Sequence, residues 1–101
     1  MVEKYFKIYV PAAQQAVNEA KHSAQFEVKG PSYFVSQDEA TYLDEHEDEA
    51  YAHEPRIFDV VTLYIDAQDH RFDEIDGIPV DDYKRQVLQM LKDLQSRYSA
   101  H

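Results

Sequence analysis

A chain of 101 residues suits one domain able to bury a core unaided, and the absence of cysteine excludes disulfides, thiolate metal sites and thiol nucleophiles. Twenty Asp and Glu against ten Lys and Arg give a formal net charge of −10, which opposes direct binding to DNA, RNA or anionic lipid. Met1-Val2-Glu3-Lys4-Tyr5 has no secretory apolar region and no apolar run nears the roughly 18 residues that span a bilayer, so a soluble, cytoplasmic protein is expected.

In chain order, Lys4–Val10 is dense in β-formers. It reads as a half-buried strand, with Phe6, Ile8 and Val10 on one face and Tyr5, Lys7 and Tyr9 on the other. Pro11 then suits the first turn of an Ala-rich helix reaching about Ala24, whose small residues predict close packing on a sheet. Phe26 and Val28 form a short strand ended by Gly30-Pro31, and Tyr33–Val35 resumes the extended chain. Ser36-Gln37-Asp38-Glu39 has the form of a capping box, predicting a helix over 37–53. Its apolar periodicity is poor, so a second reading pairs Tyr33–Val35 with Ala40–Leu43 as a hairpin and leaves 44–55 as an acidic loop.

Ile57–Ile65, rich in β-branched and aromatic residues, reads as the central strand. Asp66–Asp69 suits a turn, His70–Phe72 begins a paired strand, and Asp76-Gly77 marks a turn before Ile78-Pro79. A C-terminal amphipathic helix follows from Asp81-Asp82, with Val80, Tyr83, Val87, Leu91, Leu94 and Tyr98 as its buried stripe. The predicted fold class is α+β: a small single-domain sandwich over 1–101, with a mainly antiparallel sheet and the two helices on one face.

The charge is regional. Residues 38–82 hold 16 of the 20 carboxylates against only Arg56 and Arg71, whereas both ends are near neutral. Inside this segment, Asp44, Glu45, Glu47, Asp48 and Glu49 place five carboxylates in six positions. On a helix rising ~1.5 Å per residue that is about one charge per ~1.8 Å, close to the ~1.7 Å of duplex DNA. Carboxylates so spaced can stand in for phosphates against a Lys/Arg-lined surface, and Tyr42 or Tyr51 offers an apolar anchor with a hydroxyl. The expected partner-binding residues are these seven, extended by Asp38, Glu39 and Glu54.

Other chemistry lacks support. His46-Glu47-Asp48-Glu49-Ala50 departs from H-E-x-x-H at its last position, which removes the zinc-protease reading. His46, Glu47, His53, Glu54, Asp69 and His70 offer ligand atoms, but Asp66–Asp69 and Asp73–Gly77 lack the alternating ligands and terminal Glu of an EF-hand loop, so no metal or cofactor is expected. No nucleophile elbow, glycine-rich phosphate loop or distinguished carboxylate pair is present, so no enzyme activity is expected.

In size and charge the chain resembles phage-encoded antagonists of host defence, including DNA mimics and anti-CRISPR proteins, acting in the host cytoplasm. That likeness implies an acidic inhibitor occupying a basic, nucleic-acid-binding protein surface. Two alternatives share the composition: an immunity protein neutralising a basic nuclease toxin, and a structural protein that self-associates, as a homodimer or beyond, through the aromatic strand 57–65.

Overall fold

The computed structural model describes residues 2–20 and 28–98, and these are helical almost throughout. Helices α1 (Val2–Ala20), α2 (Gln37–Glu45), α3 (Glu47–His53), α4 (Pro55–Asp69) and α5 (Val80–Tyr98) are joined by a 3₁₀ turn at Pro31–Phe34 and by one short hairpin, β1 (Glu74–Ile75) and β2 (Ile78–Pro79). The expected α+β sandwich is therefore corrected to a predominantly helical domain, with one two-stranded ribbon among the described residues.

The largest correction is at the N-terminus. Lys4–Val10 is not a strand; it is the first half of α1, which runs unbroken through Pro11. The reason lies in spacing: Tyr5, Phe6, Tyr9, Val10, Ala13 and Val17 are all buried and recur at three- and four-residue intervals, a stripe that only a helix can present on one side. Pro11 lies on the exposed face, at the edge of a small cleft that Phe6 and Tyr98 also line. The small residues Ala13, Ala16 and Ala20 do allow close approach, but to helices: α1 packs against α2, α3, α4, α5 and the 3₁₀ turn. The expected helix end at Ala24 and the strand residue Phe26 lie outside the described residues.

The second correction is Ile57–Ile65, which belongs to α4. Pro55 occupies the first turn, and Ile57, Val61, Tyr64 and Ala67 are buried at intervals of four, three and three. Burial of that stripe against α1 and α5 outweighs the β-propensity of the individual residues. The presumed turn Asp66–Asp69 is the last turn of the same helix. Self-association through an aromatic strand at 57–65 thereby loses its structural basis.

Helix α4 ends in a Schellman motif: the Phe72 N–H donates to the Ala67 carbonyl (2.7 Å) and the Arg71 N–H to the Gln68 carbonyl (3.2 Å), with Arg71 left-handed at φ 58°. His70–Phe72 is thus a helix stop and no strand. Asp76 (φ 53°) and Gly77 (φ 79°) form the two-residue turn between β1 and β2, in the conformation that Asp-Gly favours in a hairpin. α5 then follows as expected, burying Tyr83, Val87, Leu91 and Leu94, and Phe6 of α1 stacks on Tyr98 with ring centroids 4.9 Å apart.

Between α1 and α4, neither alternative for residues 33–53 holds unchanged. Tyr33–Phe34 is 3₁₀ and Ala40–Leu43 helical, so no hairpin forms. The capping box is present, with the Glu39 N–H on Ser36 Oγ (3.2 Å) and the Ser36 N–H on Glu39 Oε1 (3.0 Å). The helix it starts is divided at His46 (φ −112°, ψ 13°) into α2 and α3. Like charges at Asp44/Asp48 and Glu45/Glu49 oppose a continuous helix there.

Candidate functional site

Beside its buried stripe, α4 carries a second row. Asp59, Thr62, Asp66 and Asp69 recur at three- and four-residue intervals and line one wall of a groove of about 1080 Å³. Asp44 and Glu47, on either side of the α2–α3 break, line another part of its wall, with Tyr51 one turn further along α3. Val28, Gly30 and Pro31 contribute to the lining beyond α1, and the Val28 N–H reaches Asp69 Oδ1 at 3.5 Å.

Aromatic rings supply the inner lining. Tyr9 and Phe58 have centroids 4.8 Å apart, Tyr5 stacks on Tyr9 at 5.8 Å, and Tyr51 approaches Phe58 at 5.8 Å. The Tyr51 hydroxyl donates to Asp59 Oδ1 (3.2 Å), which fixes that carboxylate beside the rings. Tyr5 and Tyr9 are only 3% and 6% exposed, yet neither hydroxyl has a hydrogen-bond partner among the described residues. Among the described residues no fully buried side-chain oxygen lacks a partner, and Tyr5 and Tyr9 both line the groove.

Electrostatics agree with that geometry. Burial, then the Glu47 carboxylate, pushes the Tyr5 phenol up to about 12; burial, then Tyr5 and Glu47, raises Tyr9 as well. The charge of Asp59, then its hydrogen bond, raises Tyr51. Burial leads at Tyr5 and Tyr9, with Glu47 adding to it, whereas at Tyr51 the neighbouring Asp59 carboxylate leads. A cation entering the same space would meet the opposite sign of field, together with the negative faces of the rings.

The ten residues expected from the sequence do not form one surface. Asp44, Glu47 and Tyr51 line the groove; Glu45, Asp48 and Glu49 are exposed but lie outside its lining, so the five-carboxylate run is distributed over two helices and more than one direction. Glu39 closes the capping box and Asp38 is exposed in the first turn of α2. Tyr42 lies under Lys4, whose Nζ is 4.5 Å from the ring centroid, and against the His46 ring at 4.3 Å. Glu54 is engaged internally: it accepts from Arg97 and from the Tyr98 hydroxyl (3.0 Å), clasping the α3–α4 junction to the end of α5.

Asp59, Asp66, Tyr5, Tyr9 and Phe58 were not anticipated as site residues. Once 55–69 is treated as a helix, the polar row at 59, 62, 66 and 69 is visible in the sequence; treated as a strand, those positions scatter over both faces. Among the described residues no group of three or more His, Asp or Glu is placed to hold a metal ion, and no helix is long and apolar enough to cross a membrane. No protein-family model, curated protein or solved structure matches the chain.

Proposed function

We propose that this chain is a small acidic binding protein that docks on a basic, nucleic-acid-binding surface of another protein and denies that surface to nucleic acid. One observation carries the reading: every carboxylate from Asp38 to Asp81 other than Glu54 is exposed, in a segment whose only Lys or Arg residues are Arg56 and Arg71. Clustered exposed carboxylates repel one another in the folded state, and a cationic partner relieves that repulsion on binding. Such a partner is a nuclease, or a nucleic-acid-binding or nucleic-acid-guided complex, that normally holds phosphates with lysine and arginine.

The test is capture of cytoplasmic proteins on the immobilised chain at low and high salt, followed by nucleic-acid binding assays on whatever is retained. The proposal expects a basic nucleic-acid-binding protein that elutes as salt rises and that loses its nucleic acid when the chain is added. A captured protein that holds chain and nucleic acid simultaneously would contradict it.

A further inference from the structure

The groove between α1, α3 and α4 differs from the rest of the acidic surface in three respects. Its inner lining is aromatic, from Tyr5, Tyr9, Tyr51 and Phe58. Its walls carry carboxylates from separate helices, Asp44 and Glu47 on one side and Asp59 and Asp66 on another. It also holds two tyrosine hydroxyls, 3% and 6% exposed at the residue level, with no hydrogen-bond partner among the described residues. A solubilising acidic face needs none of these; a site for an organic cation uses all three.

We propose that the groove receives an extended, arginine-bearing segment of the basic partner, with one guanidinium over the Tyr51 and Phe58 rings and within reach of the Tyr9 hydroxyl. This rests on the docking function proposed above and names its central contact. A guanidinium is flat, stacks on aromatic faces, and presents five donors in a plane. Those donors match the groups present here, namely the Tyr5 and Tyr9 hydroxyls as acceptors and the Glu47 and Asp59 carboxylates beside them. An ammonium offers no planar face to the rings and less reach between acceptors.

The occupant is a segment, not a single side chain, because the space is about 1080 Å³ and the acidic wall continues along the helix. From Asp59 to Asp66 is seven residues of α4, about 10 Å at ~1.5 Å per residue, and three extended residues of ~3.3 Å cover the same distance. A basic residue about three positions from the anchoring arginine therefore falls opposite Asp66. Nucleic acid is repelled by the same walls.

The experiment titrates the intact chain into fluorescently labelled hexa-arginine and hexa-lysine peptides and reads anisotropy at low salt. Three variants follow: Tyr9→Phe, which keeps the ring and removes the hydroxyl; the groove pair Glu47→Gln with Asp59→Asn; and the charge-matched pair Glu45→Gln with Asp48→Asn outside the groove. The expected results are tighter binding of hexa-arginine than of hexa-lysine, at least a tenfold loss for the groove pair, a severalfold loss for Tyr9→Phe, and less than about a threefold loss for the outer pair. Circular dichroism on each variant establishes that the helices are retained. Equal losses for the two pairs would overturn the groove assignment while leaving surface docking intact. Displacement of the peptide by spermine at equal or lower concentration would overturn it in favour of a small free polyamine. Absence of peptide binding would overturn it outright.

Discussion

Replacing Pro11 by alanine separates the continuous α1 helix from the strand-then-helix arrangement by the sign of its effect. In a helix interior proline withholds the N–H that residue 11 would donate to the Lys7 carbonyl and crowds that carbonyl with its ring, at a cost near 3 kcal/mol relative to alanine. Pro11 sits inside Val2–Ala20 with a full turn on either side and on the exposed face, so Pro11→Ala restores the bond without disturbing the core. Part of the penalty is already relaxed into the native geometry of α1, which leaves an expected gain of about 1–2 kcal/mol. For a domain of this size each kcal/mol moves the melting temperature by roughly 4–8 °C, so thermal unfolding followed by circular dichroism should shift upward by about 5–15 °C. Were residues 4–10 a strand with Pro11 opening the following helix, proline would occupy its favoured first-turn position and alanine would lower the melting temperature. A downward shift refutes the helical reading of the N-terminus.

The same contrast applies to α4. Val61 is 1% exposed and Leu63 44% exposed, so Val61→Asp should bury an unpaired carboxylate and unfold the domain, while Leu63→Asp should change stability by no more than about 0.5 kcal/mol; equal effects in denaturant unfolding would return 57–65 to a strand. Arg71 holds φ 58° in the Schellman motif, where glycine is unstrained, so Arg71→Gly should stabilise by roughly 1 kcal/mol, and a loss of stability would argue against that helix stop. Tyr5 and Tyr64 are raised from 10.0 to about 12, mainly by burial, and Tyr9 is raised too. Because the folded values lie above the unfolded one, this contribution is whole below pH 10 and is lost as pH climbs through about 12. Helix content should therefore fall in that window together with late phenolate formation, and titration of all eight tyrosines near pH 10 with the fold intact would contradict the burial.

What the sequence discloses of this fold depends on which period its apolar residues are tested against. The stripe of α5 and the Ser36–Glu39 box are readable because period and caps agree. Lys4–Val10 and Ile57–Ile65 mislead because both are short, apolar and rich in residues that favour strands, and within nine residues a buried helix and a buried strand are hard to distinguish. Extending the window resolves them: Val10, Ala13 and Val17 continue the helical stripe of Tyr5–Phe6 across Pro11, and Ala67 continues that of Ile57, Val61 and Tyr64. The acidic tract is evident as composition, but where its side chains lie is decided by the break at His46 and by the packing of α2 and α3 on α1. The aromatic inner lining joins positions 5, 9, 51 and 58, and no local pattern connects residues that far apart.

The central claim is that a cationic partner is held in the aromatic groove between α1, α3 and α4. An amide NMR titration of the intact chain with hexa-arginine peptide measures this most directly. Shifts should concentrate at Glu47, Tyr51, Phe58, Asp59 and Thr62, saturate, and collapse on raising the salt concentration. Shifts spread evenly over every acidic stretch, including Asp73–Asp76 at the hairpin, would contradict it.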